Sequence, residues 1–156
     1  MGMSEKVSLN IGDAAPNFTA ESTLGRITLN DYKGKKSVVL YFYVKDMTPG
    51  CTIQSIGMKD HIERIRALGG EVIGVSSDGL ESHKRFASKY GLNFPLVSDV
   101  DNSISKLYGV FNEEKMRARR VTFIIDKDGI IRHIMNRVDV DKHANDVIDI
   151  LSKMQQ

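Results

Sequence analysis

"SVVLYFYVKDMTPGCTIQS", residues 37 to 55, decides how the rest of the chain is read. Its opening "SVVLYFY" (37 to 43) is a continuous β-rich run, the pattern of a strand buried on both faces. The chain then turns at Pro49-Gly50. From about Cys51 to Leu68 it reads as a helix, with Ile62, Ile65 and Leu68 at helical spacing and Gly69-Gly70 as the stop. A second buried run, "EVIGVSS" (71 to 77), follows. Strand, loop, helix and strand in this order form a right-handed βαβ crossover between parallel neighbours.

The pattern extends in both directions from this unit. Downstream, a second helix is expected with Asp78 as its cap, Phe86 and Tyr90 on its apolar side and Gly91 at its end. "FPLVSD" reads as a short strand, "NSISKLYG" as a short helix, and "RVTFIID" with "IIRHIM" as a hairpin around the turn "DKDG". A closing helix carries the stripe Val140, Ala144, Val147, Ile148, Leu151 and Met154. Upstream, "NFTAESTLGRITLND" is a small hairpin turning at Leu24-Gly25. The class is α/β: a thioredoxin-like fold with a central mixed β-sheet flanked by helices and an N-terminal β-hairpin. Without repeat, low-complexity segment or linker, residues 1–156 are expected to form one domain.

Composition narrows the function classes. A chain of 156 residues with 41% hydrophobic and 27% charged side chains fills one core. The formal charge of +2 comes from 22 basic and 20 acidic residues scattered along the sequence, so no basic block points to nucleic acid. No apolar run approaches the roughly 20 residues of a membrane span, and "MGMSEKVSLN" lacks the apolar centre of a signal peptide. A cytoplasmic protein is expected. Gly2 does not read as a myristoylation site, because position six is Lys6 rather than Ser or Thr.

Cys51 is the single cysteine. No internal disulfide is possible, which fits a reducing compartment. The thiol sits after a buried strand, past Pro49-Gly50, in the first turn of the crossover helix. There the unpaired backbone N–H groups and the positive end of the helix dipole favour a thiolate over a thiol. A packing cysteine would sit more naturally inside "SVVLYFY" or on a helix's apolar stripe.

Together, "YFYVKDMTPGCT", "DGLESHKRFASKYGLNFPLVSD" and "RRVTFIIDKDGIIRHI" resemble the peroxiredoxins, and within them the bacterioferritin-comigratory-protein (Q-type) subfamily. The likeness runs from about Gly12 to Leu151. The family's loop ends in Thr-Pro-Gly-Cys-Thr, here Thr48-Pro49-Gly50-Cys51-Thr52, which implies that Cys51 is the peroxidatic cysteine. Its Arg-x-Thr-Phe element falls on Arg120-Val121-Thr122-Phe123 and implies Arg120 as the cation at the reacting oxygens. Thr48 is the expected substrate-orienting hydroxyl, accepting from a peroxide oxygen and donating to the thiolate. Pro49, Gly50 and Gln54, the last where many relatives have glutamate, complete the expected substrate-binding set. No cofactor and no metal is called for.

Two departures from the family pattern stand out. Val44 replaces the proline that opens the motif, and Ile56 occupies the position where Q-type members often carry a resolving cysteine. A one-cysteine cycle follows, in which an external thiol such as thioredoxin, glutaredoxin or a low-molecular-weight thiol reduces the sulfenic acid. The chain is expected to be a monomer or weak homodimer. The competing reading is a non-enzymatic redox sensor or thiol-binding module on the same scaffold.

Blander roles also compete for some residues. Arg120 lies in a basic stretch with Arg117 and Arg119, where an ordinary ion-pair partner is common. His61, His83, His133 and His143 lack metal-ligand spacing, so solvated or packing roles are expected of them. "DVDN" (99 to 102) resembles the start of a calcium loop but lacks its glycine and terminal glutamate, and reads better as a helix cap.

Overall fold

The computed structural model describes residues 9–155, so the reading of Gly2 and Lys6 lies outside the described residues. A hairpin, β1 (Thr19–Ser22) and β2 (Gly25–Thr28), comes first, and β3 (Ser37–Phe42) follows. The crossover contains α1 (Pro49–Asp60) and α2 (Ile62–Ala67) and leads into β4 (Gly70–Ser76). Next come α3 (Leu80–Tyr90), β5 (Leu96–Ser98) and α4 (Ser103–Leu107). A two-stranded ribbon, β6 (Phe111–Asn112) and β7 (Arg117–Ala118), precedes the hairpin β8 (Val121–Ile125) and β9 (Ile131–Met135), and α5 (His143–Met154) closes the chain. The main sheet has the order β2-β1-β5-β4-β3-β8-β9. β3, β4 and β5 run parallel, and β1 and β8 pair antiparallel to them, so the sheet is mixed as expected.

All six residues of β3 are buried, because the strand lies near the middle of the sheet with a core on each side. Strand alternation sends Val39, Tyr41 and Tyr43 into one core with Met58, Ile62, Phe86, Val147 and Leu151 from the helices. Val38, Leu40 and Phe42 enter the other, with Phe18, Leu29, Ile104 and Tyr108. The same alternation on β8 sends Val121, Phe123 and Ile125 to the second core, leaving Thr122 and Ile124 on the first.

Two local expectations are corrected. The helix expected over 51–68 is broken at His61, whose Nδ1–H donates to the Gly57 carbonyl at 2.9 Å and so takes up an acceptor at the helix end. Met58, Ile62 and Ile65 stay buried across the break, which is why their spacing looked continuous. Asp78 does not cap α3. The N-cap is Gly79 with no side-chain bond, while the Asp78 carboxylate accepts from Ser76 Oγ at 2.6 Å and from the Asp46 N–H at 2.9 Å. In "DVDN" the N-cap position is Asn102, whose side chain makes no capping bond, and Asp99 serves the helix start in its place: its carboxylate accepts from the N–H groups of Ile104 and Ser105 in the first turn of α4.

Candidate active site around Cys51

β3 delivers the chain into a short loop, Val44 to Thr48, from which α1 starts. Thr48 is the N-cap residue, in an extended conformation, and Pro49 occupies the first helical turn, where its missing N–H costs nothing. The Thr48 hydroxyl donates to the Lys45 carbonyl at 2.7 Å, and its oxygen accepts no capping bond from the N–H groups of its own helix. No side chain caps α1, so its first-turn N–H groups are left for whatever lies at the helix mouth. Cys51 sits within that turn. Its side chain is fully buried in the first core with Tyr41 and Tyr43, whereas Pro49 is exposed and Thr48 and Gly50 are half-buried.

The loop is anchored through Asp46, which is 4% exposed. Its carboxylate accepts from the Tyr43 hydroxyl at 2.6 Å, from Ser82 Oγ at 2.8 Å and from His83 Nδ1 at 2.7 Å. Burial pushes the Asp46 carboxyl up, but the hydrogen bonds from His83 and Tyr43, the His83 charge and the Ser82 bond outweigh it and hold the group below the ordinary carboxylate range. Met47 follows with φ of 68°, a left-handed conformation that a side chain of this kind adopts only where its surroundings impose it. Asp46, Asp78 and His83 bring their ligand atoms within 4.8 Å of one another. Each of these groups already takes part in hydrogen bonds with the protein, so the cluster works as an anchor for the loop. Val44, in the place of the motif proline, packs against the first core.

Arg120 comes from the other side. It immediately precedes β8, and strand alternation puts it on the same face as Thr122, toward α1. Its Nη1 donates to Gln54 Oε1 at 2.6 Å. Its Nη2 lies so close to Gly50 that a Cβ there would sit 3.1 Å away. The absence of a side chain at Gly50 is therefore what lets the guanidinium lie against the helix start, one residue before Cys51. Arg119 turns away and donates to the Gly109 carbonyl at 3.3 Å.

Gln54, expected among the substrate-binding residues, is fully buried and uses both ends of its amide inside the protein. Its Nε2 faces His143 Nδ1 at 3.3 Å, and His143 Nε2 faces Thr122 Oγ1 at 2.8 Å. The roles expected for His83 and His143 need correction as well: both are fully buried and hydrogen-bonded to the framework of the site, neither solvated nor merely packed. Burial, and then the nearby Arg120 charge, push His143 down to about 4. No spacing rule points to either histidine, since their partners come from other elements.

Residues 11–134 match the AhpC/TSA family. The chain belongs to that family. Its relatives place it on the Bcp/Q branch of the peroxiredoxins. It is 36% identical to peroxiredoxin Bcp of Escherichia coli over 152 residues, which covers 93% of this chain and 97% of the relative. It is 40% identical to the putative peroxiredoxin bcp of Coxiella burnetii, covering 91% and 98%. Among solved structures, a cysteine-to-serine mutant of Xylella fastidiosa PrxQ aligns with a TM-score of 0.90 at 31% identity, over 97% of this chain and all of that one. A bacterioferritin comigratory protein of Xanthomonas campestris, studied for alkyl peroxide reduction, aligns with a TM-score of 0.86 at 29% identity, over 97% of this chain and 100% of that one. The family thus reaches this chain with the mixed sheet and helical layers described above, and the enzyme is a thiol-dependent peroxidase carrying one cysteine.

Proposed function

We propose that Cys51 is the peroxide-reducing nucleophile, that Arg120 and the first-turn N–H groups of α1 stabilise the charge that develops during attack, and that Thr48 with Pro49 and Gly50 forms the mouth through which peroxide enters. The observation that carries this reading is the closeness of Arg120 Nη2 to Gly50 at the uncapped start of α1, with the only sulfur of a cysteine one residue further on. The Cys51 thiolate attacks one peroxide oxygen. The O–O bond breaks, an S–O bond forms, and the departing oxygen takes a proton to leave as water or an alcohol. Negative charge grows on that departing oxygen, and the guanidinium together with the backbone donors stabilises it. The Thr48 hydroxyl has its hydrogen on Lys45 and keeps its lone pairs, so it accepts a hydrogen bond from the peroxide and orients it. Gln54 holds Arg120 without touching substrate.

The return half of the cycle needs an external thiol, because the chain has no second cysteine. A thiolate attacks the sulfenic sulfur, releasing water and leaving a mixed disulfide. A second thiolate then displaces Cys51 as its thiolate and carries the disulfide away. A fully buried sulfur that a small peroxide reaches through this mouth is closed to the in-line approach of a bulkier thiol, so the Thr48–Gly50 turn opens in this step. Thioredoxin, glutaredoxin or a low-molecular-weight thiol serves as reductant, and the cytoplasm is the compartment that supplies them. One domain, as a monomer or weak homodimer, suffices for this chemistry.

The test is a mass and rate measurement on freshly reduced protein. One equivalent of hydrogen peroxide followed by a sulfenic-acid trap should label Cys51 in high yield, orders of magnitude faster than a free thiol reacts. Excess peroxide without thiol should drive Cys51 to sulfinic acid and stop turnover. A cysteine still reduced and unlabelled after exposure would leave the sulfur a packing residue and sink the proposal.

A further inference from the structure

We propose that His143, with its ring hydrogen on Nε2, locks the Gln54 amide in the one orientation that holds Arg120 against the start of α1, so that Gln54, His143 and Thr122 form a positioning relay for the arginine. This rests on the charge-stabilising role given to Arg120 above.

The polarity of the relay follows from donor arithmetic. A guanidinium only donates, so the Gln54 atom 2.6 Å from Arg120 Nη1 is the amide oxygen. The other end of that amide is then the NH2 group, which also only donates. It points at His143 Nδ1 from 3.3 Å, so Nδ1 carries no hydrogen and serves as the acceptor. The ring hydrogen is left on Nε2, which donates to Thr122 Oγ1 at 2.8 Å. Gln54, Thr122 and His143 are all fully buried, which leaves no water to rescue a reversed amide. With the opposite tautomer, Nδ1–H would confront the NH2 group. The amide would turn over and present NH2 to the guanidinium, donor against donor.

The surroundings keep the ring in this form. His143 is the first residue of α5, and a cation is disfavoured at a helix N-terminus. Arg120 is the charged group facing it from the start of β8, and Tyr41 of β3 meets the ring edge to face, with centroids 5.8 Å apart. His143 touches neither the peroxide path nor Cys51 chemistry directly. It acts through Gln54 and Arg120, and it ties the last helix of the chain to the site.

Two measurements on the full-length chain test the relay. NMR of the isotope-labelled protein at neutral pH, with His143→Asn used to assign the ring, should show His143 as the neutral Nε2–H tautomer. A ring protonated on Nδ1, alone or together with Nε2, would overturn the proposal even if every variant proved hard to fold. The same experiment on Gln54→Glu should show Nδ1 protonated, because the second carboxylate oxygen needs a donor there. The rate of Cys51 oxidation by hydrogen peroxide should fall about tenfold in Thr122→Val, which removes the acceptor of Nε2–H, and stay within about threefold in Thr122→Ser, which keeps it. Equal rates in Thr122→Val and the unmodified protein would also overturn the relay. A slow unmodified protein would count against the peroxidase chemistry of Cys51 instead, so the two failures are distinguishable.

Discussion

His83 and His143 are both fully buried on the face of the sheet that holds Cys51, yet their surroundings ask opposite things of the same ring. Around His83 both nitrogens face acceptors, the Asp46 carboxylate at 2.7 Å and the Val97 carbonyl at 2.9 Å. With the Asp46 carboxylate it forms a buried hydrogen-bonded pair that fixes the loop before Cys51. Around His143 one neighbour donates, burial is complete and the nearest charge is a cation, so the ring is neutral. The loop is thus held through a carboxylate and the arginine by hydrogen-bond polarity. The nature of the partner, far more than the depth of burial, separates the two.

The largest effect expected from breaking this contrast is on stability. His83→Leu removes one half of a buried pair and leaves the Asp46 carboxylate with only its hydroxyl donors, which should cost about 3–5 kcal/mol in a urea unfolding experiment. A loss below about 1 kcal/mol would mean that the pair behaves like a surface one and that the contrast with His143 is unfounded.

Acidification separates the two histidine sites by pH window. The folded His143 value of about 4 lies below the ordinary 6.5, so between these values the unfolded chain binds the proton and the folded one does not. Stability is therefore complete above pH 6.5 and declines as pH falls toward 4, by at most about 3 kcal/mol. Asp46 acts lower. Its depressed folded value places its contribution above the ordinary carboxylate value of 3.8, to be lost only as pH falls below that. His143→Asn should flatten the upper window and leave the lower one intact. An unchanged slope between pH 6.5 and 4 in that variant would assign the titration elsewhere.

A third prediction concerns the cation that the relay holds. Arg120→Ala should slow Cys51 oxidation by about 10²-fold, the scale of removing one donor from a developing oxyanion. Arg119→Ala is the control, because its guanidinium reaches the Gly109 carbonyl on the other side of the strand and should leave the rate within about threefold. Equal losses in the two would reduce Arg120 to general surface charge.

How much of this was legible in the sequence depends on how far apart the partners stand. The doubly buried β3, the crossover and the hairpin of β8 and β9 come from periodicity and turn residues within a dozen positions, and they were readable. Cys51, Gly50 and Arg120 are candidates through the resemblance of Thr48–Thr52 and Arg120–Phe123 to the peroxiredoxin motifs, and what the structure adds is that Arg120 lies against Gly50. The Asp78 bonding was not readable, since an aspartate before a helix caps it only if nothing better is near, and Ser76 and the Asp46 N–H compete successfully. The relay was still less accessible. Its bonds span 66, 89 and 21 positions in the chain, and a histidine at the head of an apolar stripe looks like any other helix start until the strand and α1 are packed against it.

The smallest effect, and the sharpest probe of how Arg120 is placed, comes from Gly50→Ala. Gly50 lies inside the first turn of α1, where alanine is the better helix former by about 0.5–1 kcal/mol, so folding should be unharmed or slightly improved. The added methyl group would stand 3.1 Å from Arg120 Nη2, close enough that the guanidinium must retreat by a few tenths of an ångström. Its end is flexible, so the retreat is cheap for stability, but the 2.6 Å bond to the buried Gln54 limits where it can go. Displacing a preorganised charge by that much should lower the rate of Cys51 oxidation about tenfold while the melting temperature holds or rises. Stopped-flow oxidation and thermal unfolding on the same sample check both halves. A variant as fast as the parent would show that the guanidinium has latitude at the helix start, and the polarity lock behind it would then have nothing to position.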